Sequence, residues 1–185
     1  MTKDTPILET KRLILSKPQE SDVSDIVLEA NNKKIEAQTL NIPFPYTQKD
    51  AENWLSQINE GYNKGDHIAF KILSKKDKSF MGVIGLKIAQ RFDHAEMGYW
   101  IGEKFWGKGY ITESIGAVLE YGFDQLNLHK IFAHYMEGNP ASGKVMEKNG
   151  MIKEAILKDH VKKGGEYKSI IQYRLTKKEY HESKK

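Results

Sequence analysis

The stretch from Glu96 to Thr112, EMGYWIGEKFWGKGYIT, restricts the fold of this chain more than any other. It begins as a strand, passes through glycines at 102, 107 and 109, and then takes up helical spacing. Ile111, Ile115, Val118, Leu119, Gly122 and Leu126 form one face, so a helix is expected from about Gly109 to Leu126. A strand that enters a helix through a glycine loop can bind phosphate. Glycines let backbone N–H groups approach an anion, and a helix N-terminus adds unpaired donors and partial positive charge. Lys108 adds a full charge. The same form also serves as a plain strand-to-helix turn, and loop form alone leaves both readings open.

Two phosphate loops are disfavoured. Gly102 to Lys108 follows G-x-x-x-x-G-K, but Gly109 stands where a magnesium-holding hydroxyl belongs, and Phe105 and Trp106 are bulky inside the cradle. Gly107-x-Gly109 ends on Thr112 where a dinucleotide fingerprint wants Gly or Ala, and it follows several strands rather than the first.

The flanking pattern alternates strands and helices. Strands are expected at Leu13 to Lys17, Ala69 to Leu73, Phe80 to Ala89, Ala95 to Ile101, Lys130 to Met136, Glu154 to His160 and Lys168 to Leu175. The last two form a hairpin across Lys163-Gly164-Gly165. One helix begins at Ser21-Asp22 and ends at Asn31-Asn32. Another follows the Thr47/Asp50 capping box and stops at Gly65-Asp66, and a third is capped by Asn139-Pro140 and ended by Asn149-Gly150. Ile42 to Tyr46 is extended, because two prolines disfavour helix before them. The expected class is therefore α+β, a mixed α/β arrangement around one sheet.

A chain of 185 residues with 39% hydrophobic side chains suits one domain, read here as 1–185 with a core over 8–175. There is no cysteine, which removes disulfides, thiolate metal sites and a cysteine nucleophile and fits a cytoplasmic location. No apolar run reaches the roughly 20 residues of a membrane helix. Met1 to Thr10 lacks an apolar signal core, so no membrane partner or secretory signal is expected. The net charge of +4 comes without an arginine-rich stripe, so no nucleic-acid partner is expected. His67, His94, His129, His134, His160 and His181 lack ligand spacing, so no metal is expected.

Trp106-Gly-Lys-Gly-Tyr-Ile-Thr-Glu113 resembles the pyrophosphate loop of the GNAT acetyltransferase superfamily. Leu8-Glu-Thr-Lys-Arg-Leu-Ile-Leu15 resembles the first strand of its ribosomal-protein alanine N-acetyltransferase-like branch, the RimJ/RimL type. Asn139-Pro-Ala-Ser142 and Met146-Glu-Lys-Asn-Gly150 resemble that branch's last core helix. The resemblance implies a single domain with a mostly antiparallel sheet. That sheet splays into a V between the fourth and fifth strands, Glu96 to Ile101 and Ile131 to Met136, with helices on both faces.

The resemblance also implies acetyl-CoA as cosubstrate and a primary amine as acceptor. The acceptor is expected to be a protein N-terminal α-amine attacked in a ternary complex. The alternatives are a small-molecule amine or a non-catalytic CoA-binding regulator. The chain would act as a monomer or homodimer. Cofactor contacts fall to Trp100, Ile101, Gly102, Trp106, Gly107, Lys108, Gly109, Tyr110, Ile111, Thr112, Asn139, Ser142 and Lys144. Lys144 and Lys148 either face nucleotide phosphates or form an exposed basic face.

Glu96 is the candidate base, or else a solvated carboxylate at a strand end. Many members carry a tyrosine acid where this chain has Met146. Ser142 is therefore the candidate proton donor, or else a first-turn residue bonding nearby backbone, with Tyr135 and Tyr110 in reserve. In parts of the branch a glutamate acts as base where Val161 stands here, beside Asp159 and His160, so the base stays open between these, Glu96 and water. Phe44 and Tyr46 either line the acceptor mouth or pack under the proline-rich loop.

Overall fold

The structure, a computed structural model, describes residues 6–184. Residues 1–5, where the stretch read above for a signal begins, and residue 185 lie outside it. Among the described residues eight strands form one open sheet. They are β1 (Leu8–Glu9), β2 (Leu13–Ser16), β3 (His67–Ser74), β4 (Phe80–Ala89), β5 (His94–Ile101), β6 (Lys130–Met136), β7 (Ile152–Lys163) and β8 (Glu166–Thr176). The spatial order is β1-β2-β3-β4-β5-β6-β8-β7, and only β5 and β6 run parallel. The helices are α1 (Val23–Ala30), α2 (Lys33–Gln38), α3 (Gln48–Lys64), α4 (Tyr110–Glu120), α5 (Pro140–Lys148) and α6 (Lys177–Glu182).

The two-residue period of the strands builds a core on each face. Phe70, Ile72, Ile84, Leu86 and Met97 point one way and meet Ile111, Ile115, Val118 and Leu119 of α4. Ala69, Val83 and Trp100 point the other way, toward Ile26 of α1 and Ala51, Leu55 and Ile58 of α3. Helices therefore cover both faces, as the resemblance implied. Ile115 is fully buried, so truncating it to alanine would cost about 2–5 kcal/mol.

The expected strands over Phe80 to Ala89 and Lys130 to Met136 are found with the same bounds. The Thr47/Asp50 capping box and Gly65 bound α3 as anticipated, and Gly65 is left-handed. Four differences have local causes. The helix expected to reach Leu126 gives way to a π-helical turn over Tyr121–Gln125, where Gly122 packs against the Ile131 side chain with no room for a Cβ. Asn32, read as part of a helix end, also starts α2, since its Oδ1 accepts the Lys34 N–H at 2.8 Å. A second capping box, Thr176 with Glu179, opens α6, which the sequence reading did not include. The last hairpin is longer than expected, and its turn residues Gly164 and Gly165 both hold positive φ, 58° and 85°.

The feature that positions the site is a fork. β5 pairs with β6 only at His94↔Lys130, Ala95↔Ile131 and Glu96↔Phe132. Beyond Glu96, β5 stays with β4 through Ile101↔Gly82, while β6 stays with β8 through Met136↔Ile170. The two central strands therefore part, leaving backbone edges facing a gap. They are the fourth and fifth strands of the sequence reading, counted one higher because Leu8–Glu9 forms a strand of its own.

Candidate active site

The gap opens into a cleft of about 760 Å³. On one side lies the entrance to α4. Gly107 (φ 71°) and Gly109 (φ 78°) are left-handed, and Gly109 is the N-cap of α4. A glycine cap has no side chain to offer, and the first in-helix bond in this turn is Glu113 N–H to Gly109 O at 3.1 Å. The N–H groups of Tyr110, Ile111 and Thr112 are thus the orphan donors of the first turn, and all three residues line the cleft.

A brace from the opposite end of the sequence holds this loop. Arg12 donates from Nη1 to the Lys108 carbonyl (3.0 Å) and from Nε to Glu113 Oε2 (2.6 Å). Its backbone N–H and Thr10 Oγ1 donate to Glu113 Oε1 at 2.7 and 2.5 Å. The Arg12 guanidinium also sits 4.5 Å from the Tyr110 ring centre. Burial pushes the Glu113 carboxyl up, but the bonds from Thr10 and Arg12 together outweigh it and leave the group below the usual carboxylate range. The two motifs quoted above, Leu8–Leu15 and Trp106–Glu113, therefore touch.

Two residues assigned to cofactor binding stand elsewhere. Lys108 is exposed outside the cleft lining and donates from Nζ to the Lys104 carbonyl at 2.8 Å. Gly102 is buried behind the loop, where its N–H donates to Met81 O at 2.8 Å and the Glu29 carboxylate fills the space a Cβ would need. Trp106 lines the cleft and donates from Nε1 to the Ile101 carbonyl at 2.8 Å, fixing the end of β5. Trp100, Ile101, Gly107, Gly109, Asn139, Ser142, Lys144 and Lys148 also line the cleft. Gly98 is exposed midway along the open strand, and a Cβ there would meet nothing within 4 Å.

Where the strands part, the Asn139 Oδ1 caps α5 by accepting the Ser142 N–H at 3.4 Å. Ser142 Oγ lies 2.7 Å from Tyr99 Oη. Burial pushes the Tyr99 phenol well above its ordinary range, so it stays protonated. Tyr135 lines the cleft with its ring packed on Gly143. Met146 is fully buried in the core and forms no part of the cleft.

The other end of the cleft is built from side chains. Glu96, at the last position where β5 pairs with β6, has Oε1 3.4 Å from His134 Nδ1. Lys87 on β4 lies directly opposite Glu96, and His67 on β3 lies directly opposite Lys87. Burial and then the Lys87 charge push the His67 imidazole below its ordinary value. Gln38 to Ile42, Trp54 and Ile58 close this end.

Phe44 and Tyr46 do not line it. Tyr46 is buried in the α1/α3 core, with its N–H bonded to Asn31 Oδ1 at 3.0 Å, and Phe44 is exposed beside Lys33. The preceding residues 38–42 form the wall instead. Asp159 and His160 are exposed on β7, with Asp159 at φ 49° inside a bulge, and neither they nor Val161 reaches the cleft. Tyr99, Lys87, His67, His134 and Arg12 were missed as site residues. Only strand register could have assembled the middle three. Among the described residues no group of three or more His, Cys, Asp or Glu side chains could hold a metal ion, and no helix is long and apolar enough to cross a membrane.

The model of the acetyltransferase (GNAT) domain matches residues 12–152. The chain belongs to the GNAT acetyltransferase family. An N-acetyltransferase of Bacillus licheniformis, p20, is 31% identical over 94% of this chain and 97% of its own length. The [ribosomal protein uS5]-alanine N-acetyltransferase of Escherichia coli is 31% identical over 66% of this chain and 64% of its own. In three dimensions, the ribosomal L7/L12 α-N-protein acetyltransferase RimL in complex with coenzyme A superposes with a TM-score of 0.85 at 21% identity. That match covers 92% of this chain and 98% of that one. This GNAT protein is thus an N-acetyltransferase by family, and its forked sheet is the fold of its structural neighbours.

Proposed function

We propose that this GNAT enzyme takes acetyl-CoA as its donor and acetylates the α-amine of a protein N-terminus by direct attack in a ternary complex. The fork carries the reading. Parallel pairing stops at Glu96, and the opened edge leads from that carboxylate to the glycine-bounded first turn of α4. The chemistry of the donor set fits the cosubstrate. The Tyr110, Ile111 and Thr112 amides suit a pyrophosphate, Gly107 and Gly109 keep side chains out of its way, and Lys144 and Lys148 add charge. The open edge near Trp100 and Ile101 suits an amide-bearing arm that pairs like an added strand. When bound, acetyl-CoA supplies an acetyl group activated on a sulfur leaving group.

The chain's own residues then have three tasks. Glu96 takes the proton of the incoming ammonium through a water, leaving a neutral nucleophile. A backbone N–H of the opened β5 strand donates to the carbonyl oxygen as it gains charge. Ser142 Oγ protonates the sulfur as the carbon–sulfur bond gives way to the nitrogen–carbon bond. The proton that the attacking nitrogen sheds on becoming an amide returns to Ser142 through water, which leaves the charges balanced, while the Tyr99 hydroxyl stays protonated and holds Ser142 in place. The burial of Met146 removes it from this chemistry and weakens the case for a non-catalytic regulator.

An α-amine suits such a site. With a pKa near 7.7–8.0, roughly a quarter of it is neutral at pH 7.4, against about 0.1% of a lysine side chain. The acceptor named for the Escherichia coli relative, an N-terminal alanine, points the same way. Two peptides test it, one with a free N-terminus and blocked lysines, the other the reverse. The first should be acetylated at least about tenfold faster at pH 7.4. Faster acetylation of the second would overturn the α-amine reading.

A further inference from the structure

The acceptor end of the cleft has an unusual charge layout. Among the described residues, Glu96 is the one carboxylate in the cleft lining, whereas Lys87, Lys144, Lys148, His67 and His134 also line it. Lys144 and Lys148 belong to α5, at the end assigned above to the nucleotide. Lys87 does not. It stands on β4 directly opposite Glu96, on the same face of the sheet. Glu96 turns its Oε1 toward His134 instead, and among the described residues Lys87 has no ion-pair partner. His67, opposite Lys87 on its other side, is no counter-charge either. A lysine left unpaired beside the proposed base is poised to meet an anion brought by the acceptor.

From this row we infer that the acceptor carries a carboxylate within about two residues of its α-amine, held by Lys87 while the amine faces Glu96. The inference rests on the α-amine reading above. Its geometry follows from spacing. Adjacent strands lie about 4.7–4.9 Å apart, and an extended residue spans about 3.3–3.6 Å, so a carboxylate one or two residues along the acceptor falls beside Lys87. The same charge disfavours polyamines, because their second ammonium would meet Lys87 with no further carboxylate on the wall to offset it. An acidic N-terminal peptide and a free acidic amino acid share this chemistry, and the experiment separates them.

The test uses peptides beginning Ala-Asp, Ala-Asn and Ala-Lys with a blocked C-terminus and no other free amine at positions beyond these, together with free aspartate and spermidine. Binding to the CoA-loaded protein is measured by calorimetry, and transfer by thiol release from acetyl-CoA. The Asp peptide should exceed the Asn peptide by about 10-fold in both readouts, with the Lys peptide below Asn. Lys87→Gln should erase the Asp-over-Asn preference, and Lys87→Glu should reverse the order. Free aspartate matching the Asp peptide would assign the carboxylate to an amino acid, and weaker free aspartate would assign it to a peptide. Equal binding of Asp and Asn peptides, an order unmoved by Lys87→Glu, or spermidine as the best acceptor would overturn the inference. Acid-biased binding without transfer to any amine would support the role of Lys87 and overturn the α-amine chemistry alone.

Discussion

The turn from Gly107 to Thr112 and the row from His67 through Lys87 to Glu96 bound the same cleft, yet one offers backbone and the other side chains. The first is local. Two glycines, a strand end and a helix start make it, and all lie within a short stretch of sequence. The second draws on three strands, and its members meet only through register. Backbone amides suit a ligand part that never changes, such as a pyrophosphate. Side chains can be exchanged one at a time, which suits the part that sets the acceptor.

The largest expected effect breaks the backbone wall alone. Gly109→Val places a branched side chain at a left-handed position where an anion must approach the amides. Acetyl-CoA affinity should fall by roughly 100-fold or more, while a CoA fragment lacking phosphates binds nearly as before. Calorimetry with both ligands reads this, and an unchanged acetyl-CoA affinity would remove the pyrophosphate assignment.

A smaller effect is expected where the two walls meet. Ser142→Ala should lower kcat by roughly 10- to 1000-fold with little change in acetyl-CoA affinity, since general acid steps are worth about 10² to 10⁴ and water partly replaces a hydroxyl. Tyr99→Phe should lower kcat less, because Ser142 keeps its own proton. Full kcat in Ser142→Ala together with a collapse in Tyr135→Phe or Tyr110→Phe would move the donor.

The smallest effect concerns the brace behind the loop. Glu113→Gln weakens the bonds from Arg12 and Thr10 and should cost about 1–3 kcal/mol of stability at pH 7. The Glu113 carboxyl is lowered in the folded state, so its contribution is fully present above the unfolded value of about 4.3. It fades as the pH falls through the lower folded value. The stability gap between wild type and Glu113→Gln, measured by denaturant titration, should therefore narrow on acidification below about pH 4.3. A gap that stays constant from neutral to acid would mean that the Glu113 charge does not hold the brace.

The same contrast explains what could be read from the sequence. The bounds of β4 and β6, the caps of α3 and α5 and the glycine loop follow from local patterns, and those patterns agree with the structure. Short α2 and α6 leave little trace in the sequence because each is six residues long and rests on a single cap, Asn32 or Thr176. Lys87 and His67 gave no local signal, since a lysine or histidine in a strand reads as a solvated side chain until the neighbouring strands are in register. Phe44 and Tyr46 stayed open between two roles for the converse reason. Their position before α3 was clear, but only the fold shows that Tyr46 packs into the α1/α3 core while Phe44 stays exposed beside Lys33.

One measurement tests most directly whether the fork carries acetyl transfer. The protein is incubated with acetyl-CoA and a library of peptides with free N-termini, thiol release is followed, and the products are mapped by mass spectrometry. One thiol should be released per acetyl gained, with the acetyl on the α-nitrogen and with the rates of both signals lowered at least about tenfold in Glu96→Gln and in Ser142→Ala relative to wild type. Tight binding of acetyl-CoA with no acetyl on any amine of the library, or transfer that is indifferent to both substitutions, would contradict it.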